Sequence, residues 1–352
     1  MARFLLYFLI ANIIGAFFLW LTARTLPFGE VWAHLGEADL EHLVRWSLVF
    51  VGIYVICHGS RVFRWYYLVR PLGPVEPATV HRVCAVGFTA ILLLPLRLGE
   101  VVRPYLLARR SRFPMNSILG TAVVERVIDG LLITGLLFVT LATYKGSHAT
   151  EFAMGAGLMS AAIFVPALFM CLLAFWRRDW AAVLVKETFG RVHAGLAEKL
   201  GGMLYAFIDG FRALLHAQYL GRFLGLTVLY WGTNVLSMWV LARYGFGLDV
   251  GMWEMTTVLA ILVIGIMIPA GPAMAGNFEY FMVQGLGLFV ILEISEVGAQ
   301  VALFAATVHI LQFAVIVIPG FIVMWLDPQT RHLIRLSREA EDAASGPEEK
   351  RT

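Results

Sequence analysis

Residues 79–110 read TVHRVCAVGFTAILLLPLRLGEVVRPYLLARR, an apolar segment with a polar interruption in its middle. A helix crosses the hydrocarbon core of a bilayer with about 20 residues, so this segment is too long for one crossing. The interruption, PLRLGE at 95–100, contains Pro95 and Gly99, residue types that end or bend helices. We therefore predict a helical hairpin that turns at 95–100, with Pro95 and Gly99 as its backbone hinge.

A second segment, 254–292, repeats this pattern later in the chain. It reads EMTTVLAILVIGIMIPAGPAMAGNFEYFMVQGLGLFVIL and is broken near its middle by Pro269, Gly271 and Gly276. Glycine permits tight turns and close approach of helices. We predict a second helical hairpin with these three residues at its hinge.

The composition of the whole chain indicates that lipid is its solvent. Of 352 residues, 60% are hydrophobic and 14% are charged, and the mean hydropathy is +0.78. A water-soluble protein of this size needs more polar surface. We predict an all-α polytopic protein of the plasma (inner) membrane, with about six full transmembrane helices and the two hairpins re-entrant. The six predicted spans are about 4–23, 43–69, 117–143, 153–176, 222–243 and 298–326.

The distribution of charges predicts the orientation, because short cytoplasmic loops are enriched in Lys and Arg. The loop after the first span is mostly acidic, whereas the segment after the second span is basic. The arginines counted in that basic segment are Arg61, Arg64, Arg70 and Arg82. We therefore expect both termini to be cytoplasmic, the first hairpin to enter from the cytoplasm and the second to enter from outside. Two short crossings are the alternative for the first hairpin.

The order of elements predicts an inverted-topology repeat. A span, a hairpin and a span at about 43–143 recur at about 222–326 with opposite orientation. Such repeats with discontinuous helices are typical of secondary transporters. The alternative is a set of coincidental kinks in an ordinary bundle, since Pro and Gly are common in membrane helices. We predict one transmembrane domain over 1–338, with an amphipathic cytoplasmic linker at 177–221 and a disordered cytoplasmic tail at 339–352.

Charged residues cluster at the first hairpin and in the helix that follows it. An ionisable residue in the membrane interior costs about 2.5–3.5 kcal/mol on insertion scales, so a cluster suggests a functional site. Glu125 and Asp129 share one helix face, and their charges repel unless a cation or a proton lies between them. The cations nearest in sequence are Arg97 and Arg103. The full cluster is Arg97, Glu100, Arg103, Glu125, Arg126 and Asp129.

Two interpretations of this cluster remain open. In the first, the arginines bind an anionic headgroup through their planar donor fork, while the carboxylates hold them in place or exchange a proton. In the second, the ions only neutralise one another and hold the hairpin. The second hairpin offers Asn277 and Glu279, and its half-helix N-termini can present N–H groups to an anion. His309 in the last span is interpreted as a hydrogen-bonded core residue, with a proton relay as the alternative.

Several classes of function are not supported by motifs. The sequence has no Gly-rich phosphate loop, zinc-type histidine pair or serine nucleophile elbow, which disfavours ATP-driven pumping and hydrolysis. We expect no cofactor and no metal. The net charge of +3 is small and does not indicate a nucleic-acid partner.

Three motifs together resemble a known family. Residues 95–100 with Arg103 fit the pattern P-x-R-x-G-E…R, residues 125–129 read ERVID and fit E-R-x-x-D, and 271–279 fits a late glycine-rich segment that ends in Glu. These patterns, in this order, are similar to the transmembrane flippase module of the lysylphosphatidylglycerol synthetase/flippase family. The resemblance covers about residues 40–326. The segment 271–279 is less glycine-rich than the family pattern.

The resemblance implies a bilayer-resident module that handles a lipid, either a phospholipid or a polyprenyl-phosphate-linked lipid. No segment corresponds to the soluble aminoacyl-transferase domain of bifunctional members, so we do not expect lipid aminoacylation. Our main hypothesis is a flippase in which Arg97, Arg103 and Arg126 contact the headgroup. The alternative is a membrane enzyme or accessory subunit for transfer of lipid-linked glycans or headgroups. Its only acid–base candidates are Glu100, Glu125 and Asp129. A homo-oligomer is compatible with either.

Overall fold

The computed structural model describes residues 2–25, 39–94, 99–143, 149–176, 208–211, 216–268, 271–290 and 295–328. Regular structure in these ranges is helical. The α-helices are α1 (Ala2–Thr25), α2 (Leu40–Val69), α3 (Pro77–Leu93), α4 (Val102–Arg110), α5 (Met115–Thr143), α6 (Ala149–Trp176), α7 (Ala217–Val240), α8 (Met252–Gly265), α9 (Asn277–Leu286) and α10 (Ser295–Leu326). A π-helical turn, Leu241–Gly245, follows α7.

Four stretches are long and apolar enough to cross a membrane. They are Leu40–Leu72, Glu151–Phe169, Ala217–Gly245 and Val297–Leu326, and they coincide with α2, α6, α7 and α10. The other two predicted spans are also helical, as α1 and α5. These observations confirm an all-α polytopic membrane fold. The number of spans stays a prediction, because the described apolar part of α1 is shorter and α5 contains three charged residues.

Local sequence signals explain where several helices begin. The Asp39 side chain accepts the His42 N–H at 3.1 Å and caps α2. Pro77 occupies the first turn of α3, where a missing N–H is tolerated. Glu254 of α8 accepts the N–H of Gly251 at 2.7 Å, as the acid of a capping box does.

Each predicted hairpin contains a pair of antiparallel helices. In the first, Gly87 of α3 lies against Arg103 of α4, and a side chain at Gly99 would overlap the Ala90 carbonyl. In the second, α8 and α9 pack together, with Gly285 against Val258. The chain therefore reverses direction between the two helices of each pair. The hinge residues Pro95 and Pro269 lie outside the described residues, as does Arg97.

The turn of the second hairpin has an unusual backbone. Ala273 and Met274 have φ values of 58° and 60°, in the left-handed region that non-glycine residues rarely adopt. Gly276 has a φ of 87°, and a side chain there would overlap the carbonyl oxygen of Gly15 in α1. Gly271 also lies beside α1. The predicted hinge glycines thus let α1 pack directly on this turn.

The two halves of the chain pack against each other mainly through three helix pairs, α2 with α7, α3 with α10, and α5 with α8, and α2 also contacts α10. Helices α2 and α7 run antiparallel. The N-terminal end of α2 meets the C-terminal end of α7, where His42 Nε2 lies 2.7 Å from the Tyr244 carbonyl oxygen. Further along, Cys57 Sγ donates to the Tyr230 carbonyl oxygen at 3.4 Å.

One sequence interpretation is wrong. Arg61 and Arg64 are not charges of a cytoplasmic loop, because both lie inside α2, and Arg64 is buried. The next residue, Trp65, is fully buried as well, and its Nε1 donates to Thr121 Oγ1 at 3.1 Å. Most of the linker at 177–221 and all of the tail at 339–352 lie outside the described residues.

Candidate functional site

Four charged side chains form a buried cluster between α2, α4 and α5. Arg64 of α2 donates twice to Asp129, from Nη1 to Oδ1 at 2.7 Å and from Nη2 to Oδ2 at 2.5 Å. The same Nη2 lies 3.1 Å from Glu125 Oε1. Arg103 of α4 donates to Glu125 Oε2 at 2.5 Å. Arg64 thus bridges the two carboxylates, and Arg103 completes a cluster of two cations and two anions.

This ion cluster is almost entirely removed from solvent. Arg64 is 1% exposed, and Arg103 and Glu125 are each 3% exposed. Isolated charges at such depth are strongly unfavourable, and they persist when paired at short range. The repulsion expected between Glu125 and Asp129 is therefore relieved by an arginine that lies much earlier in the chain. The cluster holds α4 and α5 to α2.

Aromatic rings complete the surroundings of the ion cluster. The Arg103 guanidinium lies 4.3 Å from the centre of the Trp65 ring, and Arg64 lies 4.7 Å from that of Tyr230. Trp231 Nε1 donates to Asp129 Oδ1 at 3.3 Å. Cation–π contacts strengthen when the cation is desolvated. The rings therefore stabilise the arginines where water does not reach.

A second ion pair lies at the turn of the first hairpin and is more exposed. Arg126 Nη2 lies 3.2 Å from Glu100 Oε1, and Arg126 Nε donates to Glu100 Oε2 at 3.3 Å. Their side chains are 34% and 31% exposed. Exposed pairs exchange partners with water and ligands at low free-energy cost. This pair is thus more available for exchange than the ion cluster.

The second hairpin is held to α10 by His309. Its Nε2 lies 2.7 Å from the Ala273 carbonyl oxygen, which only accepts, so Nε2 carries a proton. Its Nδ1 lies 2.5 Å from Glu279 Oε1. These two atoms therefore share one proton, as an imidazolium and carboxylate or as two neutral groups. The other oxygen, Oε2, accepts the Gly276 N–H at 2.8 Å.

His309 therefore has a partner that was not visible in the sequence. Its ring also stacks on Phe278, with centroids 4.3 Å apart. Asn277 connects the two sides of the same hairpin turn. It is fully buried and donates from Nδ2 to the Ile268 carbonyl oxygen at 3.0 Å. These contacts fit the interpretation of His309 as a hydrogen-bonded core residue.

A cavity lies between the two halves of the chain. Its volume is about 140 Å³, counted as the space open to the centre of a water-sized sphere, and it is partly open to the outside. Helices α2, α3 and α5 contribute to one wall, and α7, α8, α10 and the second hairpin turn contribute to the other. The side chains that give it polar character are Tyr54, Arg61, Arg126, Asp129, Tyr230, Trp231, Asn234, His309 and Gln312.

The predicted site residues are thus divided among different environments. Arg126 and Asp129 line the cavity, whereas Arg103 and Glu125 pair with each other outside its lining. Glu100 and Glu279 each hold a cavity-lining partner, Arg126 and His309. Arg97 lies outside the described residues.

Sequence reasoning assigned no site role to Arg61, Arg64, Trp231 or Asn234. One signal was available for the arginines. Arg61 and Arg64 lie three apart within an apolar segment and so share a helix face, as membrane-interior charges that face a bundle do. No comparable signal marks Trp231 or Asn234, whose surroundings are formed by distant parts of the chain.

The apolar spans, the ion pairs at depth and the polar cavity define an integral, multi-pass helical membrane protein with a polar interior. The model of the family described as "Lysylphosphatidylglycerol synthase TM region" matches residues 6–320. The chain belongs to this family, which confirms the resemblance indicated by the motifs. It is a multi-pass protein of the plasma membrane.

Two known proteins are similar to the chain. It is 24% identical over 290 residues to the protein named Glycosyltransferase AglD of Haloferax volcanii, covering 81% of this chain and 45% of that protein. It is 23% identical over 268 residues to the protein named UPF0104 membrane protein of Methanothermobacter thermautotrophicus, and the match covers 71% of this chain and 78% of that protein. The chain therefore spans less than half the length of the first relative. No solved structure matches the chain.

Proposed function

We propose that this protein is a lipid translocase that moves a lipid with an anionic, phosphate-bearing headgroup across the membrane. The observation that carries the proposal is the cavity, whose walls come from both halves of the chain and whose polar side chains lie inside an apolar bundle. A headgroup can occupy such a cavity while the acyl chains stay in lipid. The description of the family, which refers to a lipid synthase, agrees with a role in lipid handling.

Helix packing supports an inverted repeat. When α2–α5 are exchanged with α7–α10, the α3–α10 contact takes the place of the α8–α5 contact, and the α2–α7 contact is unchanged. The contact of α2 with α10 has no such counterpart among the principal helix contacts. The cavity-lining residues of α5 and α10 correspond to each other under the same exchange. Arg126 and Asp129 of α5 line the cavity three residues apart, as do His309 and Gln312 of α10. Two similar halves that flank one cavity are the arrangement that alternating access requires.

In this mechanism the two hairpins are re-entrant, and the halves expose the cavity to opposite sides in turn. Arg126 meets the headgroup phosphate, and Glu100 keeps Arg126 oriented when the cavity is empty. Non-helical backbone at membrane depth is tolerated where it lines a cavity, and Ala273 and Met274 of the second turn do so.

The proposed topology is tested by cysteine labelling in a background in which Cys57, Cys84 and Cys171 are replaced. Ser111→Cys follows the first hairpin, and Asp249→Cys precedes the second. We expect an impermeant maleimide to label Asp249→Cys in intact cells and Ser111→Cys only after permeabilisation. Labelling of both from one side contradicts opposite orientations of the hairpins.

Translocation is tested in liposomes that contain the purified protein and fluorescent lipids, with dithionite quenching as the readout. We expect faster quenching of inner-leaflet lipid than in protein-free vesicles. Arg126→Gln should slow it about tenfold, the loss expected for one charge-assisted hydrogen bond. Arg45→Gln is the matched control, since Arg45 is an exposed residue paired with Glu41. No acceleration with any phospholipid or polyprenyl-phosphate lipid contradicts the proposal.

The relative named as a glycosyltransferase favours a second candidate function, an accessory module for transfer of lipid-linked sugars. In that case the cavity holds the lipid while another domain or protein carries out the transfer. Incubation of membranes with nucleotide sugars distinguishes the two functions. Sugar transfer that depends on this protein, without lipid translocation in liposomes, favours the accessory role.

A further inference from the structure

Arg61 is a cavity-lining cation with no anionic partner among the described residues. It lies on α2, about two turns before the helix ends at Val69. Its guanidinium lies 4.1 Å from the centre of the Phe88 ring and 5.7 Å from that of Tyr230. The two rings hold the planar group at the cavity wall through cation–π contacts.

The other charged groups of the described lining are compensated. Arg126 is paired with Glu100, and Asp129 is paired with Arg64. His309 shares its proton with Glu279. Among the described residues of the lining, Arg61 is therefore a positive charge without a partner of opposite sign. An uncompensated cation at this depth is unfavourable by itself and is stabilised by a bound anion.

A second polar group in the cavity also lacks a partner. Asn234 of α7 is only 6% exposed, and its Oδ1 has no hydrogen-bond partner in the part of the chain that the structure describes. A buried amide oxygen without a donor is costly, so it is a strong acceptor for a ligand hydroxyl. Gln312 of α10 also lines the cavity and adds a further neutral donor and acceptor.

We propose that Arg61 and Asn234 complete the headgroup-binding site beside Arg126, and that its ligand is an anionic phosphate ester that carries hydroxyl groups. The guanidinium donates to phosphate oxygens, for which its planar fork is suited, and Asn234 accepts from a hydroxyl. This inference rests on the proposed translocase and specifies its substrate class. A headgroup with a net positive charge, such as an aminoacylated one, is disfavoured by the uncompensated charge of Arg61.

Binding is measured by native mass spectrometry of the full-length protein with phosphatidylglycerol, lysylphosphatidylglycerol and soluble glycerol phosphate. We expect phosphatidylglycerol to bind at least about tenfold more tightly than the lysylated lipid. Arg61→Gln should weaken the binding of phosphatidylglycerol about tenfold or more. Arg61→Lys keeps the charge but not the planar donor fork, so its affinity should lie between those of Arg61→Gln and the unmodified protein. Arg45→Gln, on the same helix but exposed, should bind as the unmodified protein does.

A second variant tests the site without removing Arg61. Asn234→Asp keeps the shape of the side chain but adds a negative charge to the same cavity. We expect it to weaken phosphatidylglycerol binding at least as much as Arg61→Gln. Thermal unfolding confirms that the variants fold, and Arg61→Gln breaks no ion pair within the described structure.

The outcomes separate this site from the translocase function. Unchanged phosphatidylglycerol binding by both Arg61→Gln and Asn234→Asp overturns the site. Transport that is retained in Arg61→Gln overturns the site and leaves the translocase standing. Arg61-dependent binding without transport of any lipid supports the site and overturns the translocase. Glycerol phosphate that binds as tightly as the lipid overturns the assignment of a lipid headgroup.

Discussion

The two helical hairpins contact the last helix of their own half in different ways. In the first, Arg103 of α4 reaches Glu125 of α5 in a dry cluster of four charges. In the second, Glu279 of α9 reaches His309 of α10 through one shared proton, and no other charged side chain is paired with them in the described structure. The first contact depends on full charges, whereas the second depends on hydrogen bonds.

This difference suggests different tasks for the two hairpins. Removing any one member of the ion cluster leaves a charge buried without its partner, so α4 is expected to be rigidly fixed. The His309 pair can stay hydrogen-bonded as ions or as neutral groups. We expect the second hairpin to be the part that moves more easily. The first hairpin approaches the cavity at its turn, where Glu100 pairs with Arg126 of α5, and the ion cluster reaches the cavity through Asp129.

The largest expected effect follows from breaking the ion cluster. Glu125→Gln leaves Arg103 without its carboxylate and should lower the free energy of unfolding by about 3–5 kcal/mol. Thermal unfolding in detergent, followed by tryptophan fluorescence, measures the loss. The double variant Arg103→Met with Glu125→Met should recover most of it, since it removes both charges and keeps the Arg64–Asp129 pair. If the double variant loses as much stability as the two single variants together, the stability of the cluster does not depend on the Arg103–Glu125 pair.

The second prediction concerns the corresponding contact in the other half. His309→Phe keeps an aromatic ring against Phe278 but removes the hydrogen bonds to Glu279 and Ala273. We expect a loss of about 1.5–3 kcal/mol, the value for hydrogen bonds that involve charged groups. The same unfolding measurement applies. A loss larger than that of Glu125→Gln would reverse the proposed difference between the hairpins.

A smaller loss is expected from the backbone of the second turn. Gly276→Ala places a side chain at a φ of 87° and against Gly15 of α1. With a φ of 87° and a ψ of −54°, this backbone conformation costs about 1–3 kcal/mol for a residue that has a side chain. Gly232→Ala is the control, because no atom lies within 4 Å of a side chain added there. Equal stability of the two variants would show that α1 shifts away from residue 276 at little cost in free energy.

The smallest effect is expected for Glu279→Gln, the substitution that matches Glu125→Gln. A glutamine can accept the Gly276 N–H through its oxygen and donate to Nδ1 of a neutral His309 through its nitrogen. Because both hydrogen bonds survive, we expect a change within about 1 kcal/mol. A loss of the size seen for Glu125→Gln would show that the second contact needs its charge as well.

Much of the architecture was predictable because it depends on local properties of the chain. Runs of apolar residues give spans, and proline and glycine give breaks, so the helix pairs around residues 95–100 and 269–276 were found. The conflict between Glu125 and Asp129 was also visible, because their spacing fixes one helix face. The role of Arg64 in relieving this repulsion was not visible, because the contact between Arg64 and Asp129 joins residues 65 positions apart. Sequence order favoured Arg97 and Arg103 as nearer cations.

Hydropathy and the positions of its interruptions were enough to establish a helical membrane protein, its two broken segments and the rarity of charge at depth. Which side chains face the cavity required the packed structure. From Val258 to Gly265 the helix α8 is apolar on every side, so periodicity indicates no buried face there. Arg61 and Asn234 meet the same cavity only because α2 and α7 pack side by side. In a chain whose solvent is lipid, contacts between distant helices determine where the polar groups converge.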